Sequence, residues 1–216
     1  MLAEQQLTGS RSSRRLMMVA LFLTGLSMRT AVTSVGAVLD DLEHGLRANG
    51  SAEGLITALP VICFAALGAL APRISRRIGP ERLLVAGLIA ATTGLALRAM
   101  AGSVLVFALL SVLALSGAAV SNVLLPSLVK RYFPDRIGQI TALYTTALAI
   151  GTTLAAGLTV PIGDLGDGWR LGLGSWAVLT AVAILPWLPG LRRDGAVTAS
   201  RAIPATRLAT SQTAWP

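Results

Sequence analysis

Residues Leu16 to Leu39 form an apolar run of 24 residues that carries a single charge, Arg29. At about 1.5 Å of rise per residue, a helix of this length crosses a hydrocarbon core of about 30 Å. Arg29 lies 13 residues from Leu16 and 10 from Leu39, near mid-membrane. A guanidinium at that depth costs at least about 2.5–3.5 kcal/mol to insert, so the helix is expected to turn it toward protein, a partner or a watery cavity. Gly25, Arg29, Thr33 and Gly36 recur at helical spacing and give one small, polar face, with Thr30 and Ser34 on an adjoining strip. Two readings stay open: an anion-binding or gating arginine facing a central cavity, and a structural arginine paired with backbone carbonyls inside a bundle.

Composition extends this to the whole chain. It is 54% hydrophobic and 13% charged over 216 residues, which places it in the membrane class. The lone Cys63 excludes an internal disulfide, and beside Phe64 it reads as packing. The lone His44, with Asp40, Asp41 and Glu43, reads as part of a solvated acidic loop, and no metal site is expected. The net charge of +8 does not indicate nucleic acid, because the basic residues sit in short clusters between apolar runs and form no patch with aromatic platforms. No nucleophile–histidine–acid set and no phosphate loop is present, so neither a catalytic residue nor a cofactor is expected, and the chain is not read as an enzyme.

Taken in order, residues 1–15 are a polar N-terminal segment with Arg11, Arg14 and Arg15 before the first span. That span is too long, and too closely followed by others, for a cleaved signal. Spans are expected at about 16–39, 52–71, 83–100, 104–125, 140–160 and 169–188, making residues 16–189 one six-helix bundle. Asp40 to Gly50 reads as an acidic loop, with Ser51 as N-cap of the second span and Glu53 in its first turn. Pro60 is expected to kink that span, and Pro126 and Pro161 to close the fourth and fifth. Arg73 to Arg82 reads as a basic turn, and Arg98 as a side chain snorkelling to the headgroups. Trp169 and Trp187 are expected at the two membrane interfaces. Residues 190–216 read as a flexible tail or truncated interdomain linker.

Charge sets the topology. With the N-terminus in the cytoplasm, the inside segments hold fourteen Lys and Arg residues and the outside segments hold Arg47, Arg98 and Arg170. This positive-inside bias predicts cytoplasmic termini. Small residues offer two packing ladders, Ala147/Gly151/Ala155 and Gly117/Ser121. Spans one to three and four to six repeat a pattern in which the leading span bears a strongly polar residue, Arg29 or Asn122. Odd-numbered repeats impose opposite orientations, the inverted-repeat design of many transporters.

Gly68 to Gly79 (GALAPRISRRIG) resembles the glycine-and-basic signature between the second and third helices of the major facilitator superfamily, with Arg76 standing where an acid is usual. A finer resemblance, to the cyanate-permease and nitroimidazole-transport branch, rests on three stretches. They are Arg29 to Gly36 (RTAVTSVG), Gly54 to Phe64 (GLITALPVICF), and Asn122 to Pro134 (NVLLPSLVKRYFP) followed by Tyr144 to Thr146. The resemblance implies an all-α integral membrane fold: six transmembrane helices forming the N-terminal bundle of a twelve-helix carrier, with a 3+3 inverted repeat. It further implies transport of a small anion or nitrogen-containing solute.

Arg29, Thr33, Asn122, Tyr144 and Thr145 are the residues expected to line the solute path. Arg29 would hold an anion through charge-assisted hydrogen bonds. Arg73, Arg76, Arg77, Gly79, Arg82, Lys130, Arg131 and Arg136 are the basic-loop residues to which the resemblance gives a gating role. The expected partners are the lipid bilayer, a small-molecule solute, and a C-terminal half or a second copy. The competing expectation is a non-transporting fragment that acts only by assembly.

Overall fold

The computed structural model describes residues 2–46 and 50–189, with side chains at 14–46, 54 and 56–189. Eight α-helices are found among them: α1 (Leu2–Ser27), α2 (Thr30–Ala37), α3 (Leu39–Leu46), α4 (Gly50–Ile78), α5 (Pro80–Arg98), α6 (Val104–Tyr132), α7 (Ile137–Gly163) and α8 (Trp169–Ile184). Single 3-10 turns cover Pro134–Arg136 and Leu185–Trp187. Six segments are long and apolar enough to cross a membrane: Arg14–Ala37, Ile56–Ile78, Pro80–Arg98, Val104–Tyr132, Pro134–Gly163 and Trp169–Trp187. These are the six spans in the expected order.

The first span is broken. It consists of α1 and α2 with turns at Met28 and Arg29 between them. Neither proline nor glycine sits at the break. Instead, hydroxyls compete for the helix's own carbonyls: Thr24 Oγ1 donates to Ala20 O (2.8 Å), Ser27 Oγ to Thr24 O (3.1 Å), and Thr30 Oγ1 to Ser27 O (2.9 Å). Such back-bonding bends helices. The N–H groups of both Val32 and Thr33 converge on Arg29 O, at 3.1 and 3.0 Å.

Several sequence expectations are corrected here. The acidic stretch after the first span is helical as α3, not a loop, up to Leu46. Pro126 and Pro161 do not end their helices; α6 and α7 run through them, and α4 runs through both Pro60 and Pro72. Pro72, Pro126 and Pro161 are exposed, so their rings disturb no helix contact. Leaving the helix in an apolar medium would strand more backbone groups than one missing N–H, which is why the helices continue. The basic turn shrinks accordingly. Its first half is the last turn of α4, and a single residue, Gly79, links α4 to α5 at φ +91°, in the left-handed region that favours glycine. Trp169 and Trp187 stand at the two ends of the sixth span and are buried in protein, and Trp187 Nε1 donates to Thr24 Oγ1 at 3.0 Å. Ser51 and Glu53 as helix start signals, and the tail from 190 onward, lie outside the described side chains.

The helices pair with an internal symmetry. The first span packs on the fifth and the fourth on the second, so the leading helix of each triplet lies against the middle helix of the other. The third span packs on the fourth and the sixth. Small residues make this possible. On the fifth span Ala147, Gly151 and Ala155 are buried, and a Cβ on Gly151 would collide with the carbonyl oxygen of Leu26. On the fourth, a Cβ on Gly117 would collide with the carbonyl of Gly87. Backbones in such contact gain dispersion energy that larger side chains would prevent. The fourth span is the most buried of the six, while the second and fifth keep most of their surface outside the bundle. Large apolar side chains on those outer surfaces include Val61 and Ile62 on the second span and Ile150 and Leu154 on the fifth.

Candidate functional site

Arg29 projects outward from the break between α1 and α2 and is exposed. Its guanidinium has no hydrogen bond or ion pair to any described residue. Thr33 is half-buried and Gly36 exposed, so the expected polar face exists along α2 but looks away from the six-helix core. The inward face is the neighbouring strip: Thr24, Ser27, Thr30 and Ser34 are all buried. Gly25, expected on the outward face, is buried where the chain approaches the Tyr144 carbonyl.

The remaining expected site residues divide in the same way. Asn122 and Thr145 are exposed, and the Thr145 hydroxyl donates back to its own helix, to Thr141 O (2.9 Å) and Ala142 O (3.1 Å). Tyr144 is buried within the apolar core around Leu21, Leu84 and Leu125. None of these five residues lines any of the three cavities described below.

At the end of the bundle where α4 meets α5 and α6 meets α7, the basic residues have different fates. Arg73, Arg76, Arg77, Arg82 and Lys130 are exposed, and Arg73 Nη1 reaches Ala69 O at 3.4 Å. Arg136 lines an open cavity of about 280 Å³ together with Arg14 and Arg15. Arg131 makes the one ion pair found among the described residues, donating from Nη1 to Glu81 Oε1 at 2.9 Å. The same oxygen accepts the Tyr132 hydroxyl at 2.6 Å. Glu81 is buried in the first turn of α5, and its Oε2 has no partner. Its significance was not read from the sequence. A helix-initiating Pro-Glu pair suits the helix dipole, and nothing local marks it as the buried partner of a residue 50 positions away.

Arg98 is the larger omission. Its place at the end of the third span predicts a snorkelling side chain, and the other five spans carry no obvious buried charge by sequence alone. The structure corrects both points. Arg98 is 0% exposed and turns into the bundle. Its Nη1 donates to Ala31 O at 2.9 Å and its Nη2 to Ser34 Oγ at 3.0 Å, both on α2, and its Nε has no partner. The guanidinium carbon lies 5.9 Å from the centroid of the Phe107 ring. Arg98 and Phe107 line a cavity of about 180 Å³ bounded by α2, α4 and α6, with Ser111 and Pro60 also in its wall. A void of about 10 Å³ lies beyond Ala31, beside Ser27, Ser121 and Thr180. The signal that finds Arg98 is tertiary: the inward hydroxyl strip of the first span supplies its acceptors.

Comparison with known proteins follows the same outline. The profile of the Major Facilitator Superfamily matches residues 17–214. The chain is 34% identical over 203 residues to a Bacillus subtilis protein described as the uncharacterized transporter YycB, covering 92% of this chain and 50% of that protein. It is 29% identical to the 2-nitroimidazole transporter of Escherichia coli, covering 95% of this chain and 53% of the other. With the cyanate transport protein CynX of E. coli it shares 26% identity over 92% of this chain and 52% of the other. The chain thus spans about half the length of the relatives it matches. Among solved structures, the proton:xylose symporter XylE superposes with a TM-score of 0.67 at 19% identity, over 83% of this chain and 43% of that one.

Proposed function

The chain belongs to the Major Facilitator Superfamily, and from that premise we propose that it works as the first six-helix half of a carrier that moves a small anion or nitrogen-containing solute across the membrane by alternating access. The observation that carries this reading is Arg29. An unpartnered guanidinium on the outer surface of a membrane bundle cannot rest against acyl chains without a cost of at least about 2.5–3.5 kcal/mol. Water, a solute or a second bundle must therefore meet that face. The two least buried spans, the second and fifth, leave surface free for such a partner. On this reading Arg29, Thr33, Asn122 and Thr145 face the path, Tyr144 positions the fifth span beside it, and the basic end, with its cluster of arginines, faces the cytoplasm of a bacterial cell.

The test is uptake of radiolabelled cyanate and 2-nitroimidazole by cells expressing the chain, alone or joined to a second half. Arg29→Ala is expected to abolish uptake at unchanged expression, and undiminished uptake counts against the role. A second reading, a non-transporting membrane protein that acts only by assembling with other subunits, is favoured by the apolar outer surfaces of the second and fifth spans. Flux into proteoliposomes that contain this chain alone would reject it.

A further inference from the structure

The cavity beside Arg98 has features that the outward Arg29 face does not share. It is bounded by four spans, and it holds a charge that no carboxylate among the described residues meets. Arg98 is fully buried, yet no Asp or Glu lines the cavity and Arg98 makes no ion pair among the described residues. Its two hydrogen bonds go to neutral acceptors, Ala31 O and Ser34 Oγ. A buried charge is ordinarily paired, because the guanidinium has lost its hydration and neutral acceptors restore only part of it.

Two polar atoms in the same wall are also unsatisfied. Arg98 Nε has no acceptor and Ser111 Oγ, on a residue 4% exposed, has no partner of any kind. Arg98 Nε can only donate and the Ser111 hydroxyl can donate, so a single acceptor could meet both. The rest of the wall is apolar, with Val35, Leu59 and Leu115 facing the same space. Low-dielectric walls strengthen the attraction between one positive group and one negative one. Gly36 and Thr57, at the margin, are exposed, so the cavity is open to entry.

We propose that this cavity is a binding site for a short-chain monocarboxylate, its carboxylate held by the Arg98 guanidinium and the Ser111 hydroxyl and its alkyl body against the apolar wall. One guanidinium without a second cation selects a single negative charge. The fork of N–H donors matches a planar carboxylate. A cavity of about 180 Å³ takes a body of a few carbons and excludes a polyhydroxylated acid. The site is separate from the Arg29 face and needs no transport to be occupied, so its success or failure is independent of the uptake experiments.

The experiment measures thermal unfolding of the purified full chain in detergent micelles while sodium propionate replaces sodium gluconate at constant ionic strength. A ligand that binds only the folded state raises its midpoint. The expected rise is saturable and about 3–6 °C at ten times the Kd. Arg98→Gln is expected to abolish the rise. Ser111→Ala, which keeps the arginine and its α2 contacts, is expected to weaken binding about tenfold. Ser111→Leu fills the space and is expected to remove the response while Arg98 stays in place. Should Arg98→Gln fail to fold, the two Ser111 variants decide. No propionate-specific rise in the parent chain, or an unchanged rise in both Ser111 variants, overturns the proposal.

Discussion

Arg29 and Arg98 are both arginines in apolar spans, neither has a carboxylate partner, and they have opposite surroundings. Arg29 sits at mid-span and faces out of the bundle, its guanidinium without a partner among the described residues. Arg98 sits at the end of a span and is turned inside, donating across to the first span. Depth along the helix would rank Arg29 as the buried charge and Arg98 as the solvated one. The difference teaches that the neighbouring helix decides. The first span offers hydroxyls and the Ala31 carbonyl on its inward strip, and Arg98 is the residue placed to use them. Arg131 gives a third case, a half-exposed arginine whose charge is met by a buried glutamate.

Substitution should separate the two residues sharply. Arg98→Ala removes two charge-assisted hydrogen bonds and leaves a hole, and is expected to destabilise the chain by about 3 kcal/mol in denaturant titrations in micelles. A loss under about 1 kcal/mol would erase the distinction between the two arginines. Ser34→Ala removes one acceptor from Arg98 and is expected to cost about 1 kcal/mol in the same titration. Arg29→Ala breaks no contact and is expected to shift stability by less than about 0.5 kcal/mol. A larger loss would mean that position 29 supports the fold.

The six spans were legible in the sequence because apolar run length is a local property, and the ladder Ala147/Gly151/Ala155 was legible because small residues at helical spacing admit close contact. The proline stops were misread. Pro126 looks like a terminator by local chemistry, but the cost of unpaired backbone in an apolar medium carries α6 on to Tyr132. The break in the first span had only a weak sequence signal, a run of Ser and Thr whose back-bonding shows once the coordinates are known. Neither Arg98 nor Glu81 was legible as a buried charge. The acceptors of Arg98 lie 64 and 67 residues away on another helix, and Glu81 meets residues 50 and 51 positions downstream. A face pattern can be read from one helix, but which face turns inward depends on the neighbours, and this is why the outward direction of Arg29 and Thr33 was not evident.

The central claim is that position 29 lies on the open outer face of the bundle while position 98 is turned inside it. Single cysteines introduced as Arg29→Cys and Arg98→Cys, in a background where Cys63 is replaced by alanine, can be challenged in membranes with a charged, water-soluble methanethiosulfonate. The account predicts rapid modification at position 29 and much slower modification at position 98, which is reached only through the small cavity beside Ser111. Protection at 29 from that reagent, with modification by a lipid-soluble maleimide instead, would place Arg29 against acyl chains and contradict it.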